Sequence, residues 1–309
     1  MGIISKLYIK NFVCRYDKAV GVPYYSDSDF VGLNVDEHVF TNSKGIKIHY
    51  YFYNYDKCKE DKVVLFLHGL ECGHAAYMAE INEFAKRGYK VLTLDYTGCG
   101  YSEGKYLGSI FTPTKDTLEL LDLLKIDKEI ILAGHSLGGF TAITIANLRK
   151  DIKKAVIFAG FISPELELNA LVKSKFFVKG ILRYEKKMAK DLIALDNIAY
   201  LKSTNDKIFF IQSEDDRMIP FSTAYKVLEE INNPSIKLKS YVNRKHNPNY
   251  TEAAVQYMND VFGEFYTKIK DKTIKTAEDR INYFKDVSLE KLVEQDSKLF
   301  DEVAKFINE

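Results

Sequence analysis

A serine stands between glycines at the end of an apolar run near the middle of the chain. Residues 131–140 read ILAGHSLGGF, so Gly134 and Gly138 lie two positions on either side of Ser136. The residues before the serine are typical of a buried strand, and those after it have helical spacing. A serine at such a junction is predicted to occupy a strained turn and to project from the sheet edge as a nucleophile. A glycine-rich turn without chemistry is the alternative interpretation.

A serine hydroxyl is a weak nucleophile unless a base removes its proton. Of the six histidines, only His246 follows the last predicted strand, in the segment NRKHNPNY over residues 243–250. This segment and Ser136 are both predicted to lie at the carboxyl ends of parallel strands, where functional residues collect. We therefore predict that His246 is the general base; a histidine in an ordinary surface loop is the alternative. His135, beside the serine, is predicted to point away from it.

A histidine base needs a carboxylate that orients its ring. Glu214, Asp215 and Asp216 follow the apolar segment KIFFIQS, the next-to-last predicted strand. The order serine, acid, histidine along the chain is one in which such triads occur. The residues alone leave the choice among the three acids open, because acids at strand ends are commonly helix caps or solvated turn residues.

Strands and helices alternate along the chain in a way that brings these residues to one sheet edge. After a strand–turn–strand signal over residues 35–54, apolar segments alternate with segments of helical spacing. The pattern predicts an α/β fold, with a mostly parallel sheet and helices on both faces. The predicted organisation is a core over 1–161 and 205–269 with an N-terminal extension over 1–34, an insertion over 162–204 and a helical tail over 270–309.

Composition excludes several classes of function. The chain has 309 residues, of which 46% are apolar and 28% charged, and its net charge of +1 gives no sign of a nucleic-acid partner. Its four cysteines form no CxxC pair, and no other residues have ligand spacing, so neither a metal nor an organic cofactor is predicted. Without a secretory signal or a long apolar stretch, we expect a cytoplasmic protein with no stable membrane insertion. Its oligomeric state does not follow from the sequence.

The chain resembles α/β-hydrolases over roughly residues 35–268, and in particular the branch of monoacylglycerol lipases, esterases and serine aminopeptidases. Four motifs carry the resemblance: LHGL at 67–70, DYTGCGYS at 95–102, GHSLGG at 134–139 and SEDDRMIP at 213–220. The resemblance implies the α/β-hydrolase fold with a helical cap insertion over 162–204. It also implies that Asp216, four residues before Pro220, is the acid, although Ser213 stands where the family has glycine.

The same resemblance implies an oxyanion hole made by the backbone N–H groups of Leu70 and Leu137. Leu137 also follows from its position, because it is the first helical residue after the serine and N–H groups there lack partners within the helix. Leu70 rests on the resemblance alone. In this picture His68 orders the loop around Leu70 and transfers no proton.

The insertion is rich in apolar and basic residues. Its apolar side chains are predicted to roof a pocket for an acyl or aryl group, with Phe176 and Phe177 as substrate-binding residues; packing of the insertion onto the core is the alternative. Its run of lysines and arginine predicts a solvated face, with a membrane surface or an anionic substrate as the alternative. None of its acids stands in a sequence setting that marks a site for a substrate amine; these acids are Glu165, Glu167, Glu185, Asp191 and Asp196.

Together these residues predict a serine hydrolase acting on small or medium-chain carboxylic esters, with a small-molecule ester as its partner. Ser136 is the predicted nucleophile, His246 the base and Asp216 the orienting acid. A serine peptidase using the same triad is one alternative. A ligand-binding protein that has the fold without catalysis is another, since a fold does not determine a function.

Overall fold

A computed structural model describes residues 2–15, 25–70 and 73–309. Eight strands form one open sheet in the spatial order β1-β2-β4-β3-β5-β6-β7-β8. The strands are β1 Asn34–Thr41, β2 Lys47–Asn54, β3 Lys59–Leu67, β4 Tyr89–Leu94, β5 Glu129–His135, β6 Lys154–Phe158, β7 Lys207–Ser213 and β8 Ile236–Tyr241. β1 and β2 pair antiparallel at one edge, and β2 pairs antiparallel with β4, whereas the strands from β4 to β8 are parallel. The predicted fold class is confirmed.

Helices cover both faces of the sheet. They are α1 Ile3–Asn11, α2 Met78–Lys86, α3 Thr112–Leu124, α4 Leu137–Leu148, α5 Pro164–Leu171, α6 Lys175–Ala189, α7 Asn197–Ser203, α8 Tyr225–Ile231, α9 Glu252–Lys270, α10 Ala277–Lys285, α11 Leu289–Leu292 and α12 Ser297–Asn308. Within the described residues, no helix combines the length and apolar character needed to cross a membrane.

The central strands are apolar on both sides because helices cover both of their faces. Along β5, Ile130 and Leu132 belong to one hydrophobic cluster, whereas Ile131 and Ala133 belong to the cluster on the other face. This alternation explains why the segment before Ser136 reads as a continuous apolar run. It also makes the strand a rigid support for the turn that follows it.

The end of the chain packs more closely onto the core than its composition indicates. In α12, Phe300 and Phe306 are buried, and their rings lie 5.7 Å from Phe158 and 5.4 Å from Phe209 respectively. The predicted core, which ends at residue 269, therefore leaves out a helix that shares the same hydrophobic cluster. In the sequence, charged residues separate the apolar residues of α12, so only their helical spacing indicates an apolar stripe.

Candidate active site

Ser136 occupies the sharp turn between β5 and α4. Its backbone has φ 56° and ψ −117°, a conformation that an L-residue adopts only where the surrounding structure holds it. The flanking glycines are required by space: a Cβ at Gly134 would collide with the carbonyl of Gly138, and one at Gly138 would collide with the carbonyl of Leu67. The sequence-predicted strained turn and its position at the sheet edge are both present.

His246 and Asp216 form a hydrogen-bonded pair. His246 Nδ1 lies 2.8 Å from Asp216 Oδ2, and the Asp216 side chain is fully buried. The other carboxylate oxygen of Asp216 accepts backbone N–H bonds from Met218 at 2.8 Å and Ile219 at 3.0 Å. With all these partners the carboxylate is fixed, and a proton on Nδ1 leaves Nε2 of the ring free to act as a base.

Asp215 has a different environment. Its side chain is exposed, and its carboxylate accepts hydrogen bonds from Ser213 Oγ at 2.6 Å and from the backbone N–H of Lys245 at 3.1 Å. These bonds hold the pKa of Asp215 below its ordinary value despite the cost of desolvation. The geometry therefore places Asp216, and not Asp215, against the histidine ring.

His135 connects the turn at Ser136, the serine turn, to the loop over residues 242–251 that contains His246, the histidine loop. This contact was not predicted from the sequence. Its Nε2 lies 2.7 Å from the carbonyl oxygen of His246, and the two rings are 4.7 Å apart. A donated bond to that carbonyl requires a proton on Nε2, so Nδ1 accepts the bond from the Tyr77 hydroxyl at 3.2 Å. Burial lowers the pKa of His135 to about 3, so the ring stays neutral in this chain of bonds.

The loop that contains Leu70 lies against the serine. A Cβ at Gly69 would come within 3.4 Å of the Ser136 Cβ, which shows how closely the two segments approach. His68 is buried, its Nδ1 lies 2.8 Å from the Gly69 carbonyl, and its ring stacks on Tyr96 at 3.9 Å. Burial lowers the pKa of His68 to about 4, which agrees with a neutral residue that orders the loop.

Leu137 begins α4 directly after the serine, so its N–H group belongs to the first turn, where intrahelical acceptors are missing. Leu70 lies in the partly buried loop that abuts Ser136. The structure thus brings both predicted oxyanion residues to the neighbourhood of the serine. The two residues that follow Leu70 are outside the described residues.

The histidine loop is tied to the C-terminal part of the chain. Arg244 is buried, and it donates hydrogen bonds to the Pro248 carbonyl at 3.0 Å and to Asp296 at 2.8 Å. Its guanidinium also stacks over the Tyr241 ring at 3.6 Å from the centroid. Residues beyond 269 therefore help to hold His246 in place. The predicted division treats these residues as a separate tail and does not include this contact with the loop.

A cavity of about 870 Å³ lies between α4 and the helices of the insertion. Phe140, one helical turn after Ser136, lines it together with residues of α5, α6 and the segment before α7. Its lining includes the apolar residues Phe111, Phe140, Ile162, Leu166, Leu182, Leu192, Leu195 and Ile198. Phe176 and Phe177 do not line it; they are 74% and 39% exposed on α6, away from its buried residues Val178 and Ile181.

Glu167 on α5 is an unexpected buried carboxylate close to the Asp216–His246 pair. It is 7% exposed, its Oε2 accepts a hydrogen bond from Thr223 Oγ1 at 2.9 Å, and its buried Oε1 has no partner among the described residues. Burial, reinforced by the nearby charge of Asp216, raises the pKa of Glu167 to about 7. Sequence reasoning missed it because an acid in the first turn of a helix is usually an exposed partner of the helix dipole.

This raised pKa predicts a pH-dependent cost to stability. Between about pH 4.5 and pH 7 the unfolded chain has lost the Glu167 proton while the folded protein retains it, so stability falls as the pH rises through this window. We expect Glu167→Gln to increase the free energy of unfolding by about 2–3 kcal/mol above pH 7, and to change it little below pH 4.5. Denaturant titrations at the two pH values measure the difference.

Glu165→Gln is the matched control, because Glu165 lies on the same helix but is exposed. It should leave stability within about 0.5 kcal/mol of wild type at both pH values. Equal effects of Glu167→Gln at low and high pH would contradict a proton held by Glu167 in the folded protein.

Comparison with known proteins agrees with this architecture. The family model described as "Serine aminopeptidase, S33" matches residues 59–198, a segment that contains the serine turn and most of the insertion. The fold is shared with an esterase from Pyrococcus furiosus, with a TM-score of 0.57 and 19% identity over 84% of this chain and 96% of that one. The predicted resemblance to α/β-hydrolases is thus confirmed, in fold over most of the chain and in sequence over the matched segment.

The proteins that the chain resembles in sequence differ in their named activities. It is 36% identical over 96 residues to an epoxide hydrolase from Caballeronia sordidicola, a match that spans 30% of this chain and 29% of that protein. It is 29% identical over 143 residues to a proline iminopeptidase from Saccharolobus solfataricus, spanning 45% of each protein. Each match covers less than half of the relative's length.

Proposed function

We propose that this α/β-hydrolase is a serine hydrolase that cleaves small or medium-chain carboxylic esters through an acyl-enzyme. The observation that carries the proposal is the 2.8 Å hydrogen bond between His246 and the buried Asp216, with the His246 ring 4.7 Å from that of His135, which directly precedes Ser136. Ser136 Oγ attacks the ester carbonyl while His246 Nε2 takes its proton. The same imidazolium then protonates the departing alcohol, and its charge is stabilised by Asp216.

The backbone N–H groups of Leu70 and Leu137 are the proposed donors to the oxyanion. The N-terminus of α4 adds its positive dipole end to this position, where negative charge develops in the transition state. Water then attacks the acyl-enzyme with His246 again as base, which releases the acid and restores the serine.

The cavity beside α4 is the proposed acyl site. Its apolar lining residues and its volume of about 870 Å³ suit an acyl chain, and one of these residues, Phe140, lies one helical turn after Ser136 along α4. The lining residues Leu166, Leu192 and Ile198 replace Phe176 and Phe177 as the proposed determinants of acyl preference, since only the former line the cavity.

A peptidase remains the second candidate because of Glu167. A buried carboxylate with one unpartnered oxygen, electrostatically coupled to Asp216 and His246, is a suitable anchor for the ammonium group of an amino-terminal substrate. The description of the matching family model and the proline iminopeptidase relative support the same candidate. The surrounding insertion is nevertheless basic, which disfavours a cationic substrate.

The two candidates differ in the leaving group that they expel. We expect kcat/KM for p-nitrophenyl butyrate to exceed that for alanine or proline p-nitroanilide by at least about a hundredfold, because an ester needs no anchored amine. Glu167→Gln should leave ester turnover near the wild-type value. Faster cleavage of the anilides, with a KM that rises in Glu167→Gln, would establish the peptidase instead.

A further inference from the structure

An exposed surface formed by α1 and α6 combines large apolar side chains with lysines. Ile3 and Leu7 on α1 and Phe176 and Phe177 on α6 are exposed, although residues of these types are mostly buried. On α6 the residues three and four apart after Phe176 are also exposed, namely Lys179, Arg183 and Lys186. The opposite side of the helix is buried through Val178, Ile181, Glu185 and Ala189.

The two helices lie side by side and run in the same direction. A Cβ at Gly180 would come within 2.7 Å of the Ile4 side chain, and the rings of Tyr8 and Tyr184 are 5.8 Å apart. Both contacts join residues 176 positions apart, so α1 and α6 are parallel and keep one register. Ile3 is therefore level with Lys179, which lies about one helical turn after Phe176 on α6.

This surface is strongly cationic, whereas the whole chain has a net charge of only +1. The cations on the two helices are Lys6, Lys10, Lys175, Lys179, Arg183, Lys186 and Lys187. α1 contains no acid, and the one acid of α6, Glu185, is fully buried and bonded to Ser109. Among the described residues, none of these seven cations takes part in an ion pair with a carboxylate.

We propose that α1 and α6 form a docking surface for an anionic lipid bilayer. Lysines attract a negative headgroup layer while their long stems cover apolar surface, and apolar tips between them enter the boundary of the acyl chains. An acidic protein would satisfy the charges, but a bilayer also offers an apolar layer to the exposed side chains of Ile3 and Phe176. The helices have 9 and 15 residues, so they lie on a membrane and do not span it.

The surface also adjoins the cavity. Arg183 and Lys186 belong to the exposed stripe of α6 and also line the cavity next to α4. Docking therefore brings this side of the cavity to the lipid, where poorly soluble esters concentrate. This consequence rests on the proposed function. Docking itself does not, and vesicle binding can therefore be measured with the inactive Ser136→Ala protein.

Co-sedimentation of the full chain with vesicles tests the docking. We expect binding to phosphatidylcholine vesicles containing about 30% phosphatidylserine, and at least about tenfold weaker binding to phosphatidylcholine alone. Raising the salt from about 0.1 M to 0.5 M should weaken the binding several-fold. Phe176→Ala, and separately the double variant Lys175→Gln and Lys179→Gln, should each weaken it about tenfold.

Matched controls come from α3 and the turn after it. Leu123→Ala removes a comparably exposed apolar side chain, and the double variant Lys125→Gln and Lys128→Gln removes the same charge; both should bind within about twofold of wild type. Equal losses in the controls, no binding to anionic vesicles, or equal binding to neutral ones would overturn the proposal. Salt-sensitive binding to polyglutamate without binding to vesicles would assign the surface to an acidic protein instead.

Discussion

Ser136→Ala is expected to reduce kcat for p-nitrophenyl butyrate by about 10⁵–10⁶-fold. Without the hydroxyl no acyl-enzyme forms, and the Asp216–His246 pair has nothing to activate. Alanine fits the space of the serine, so the fold should be retained and the circular dichroism spectrum should not change. Initial rates at saturating ester, corrected for spontaneous hydrolysis, measure the loss.

Ser203→Ala is the control for this substitution, because Ser203 is an exposed serine near the end of α7. It should retain the wild-type rate within about twofold. A folded Ser136→Ala protein that retains most of its esterase activity would contradict the nucleophile assignment.

Asp216→Asn should reduce kcat by about 10⁴-fold, while Asp215→Asn changes it by less than about threefold. Asp216 accepts the His246 Nδ1–H bond at 2.8 Å, and an amide there favours the wrong tautomer of the ring. Asp215 is exposed and bonds Ser213 and the Lys245 backbone instead. Rates and KM values of the two variants at one pH measure the contrast, and the reverse ranking would move the orienting role to Asp215.

Much of the fold follows from local sequence patterns. The serine turn was predictable because glycine spacing, an apolar strand and a following helix are all local signals around Ser136. The boundary between the core and the tail was harder to predict. The helix α12 packs onto the core through a stripe of apolar residues, and charged residues interrupt this stripe in the sequence. Packing between distant segments determines such a contact, and no short pattern encodes it.

The site shows the same contrast between local signals and long-range contacts. Ser136, Asp216 and His246 were selected by motif and chain order, and the structure brings His246 into contact with Asp216 and with His135 beside the serine. The link from Tyr77 through His135 to the His246 carbonyl joins three segments and has no sequence signature. The burial of Glu167 depends on how α5 rests on the loop that contains Thr223, which the sequence of α5 does not specify.

Reaction with a fluorophosphonate, followed by intact mass and peptide mapping, tests whether Ser136 is an activated nucleophile, because the reagent needs an activated serine and an oxyanion site but no particular acyl group. We expect one adduct per chain, on the peptide that contains Ser136, and none on folded Ser136→Ala. An adduct on a different residue, an adduct that persists in Ser136→Ala, or a folded wild-type protein that does not react would contradict it.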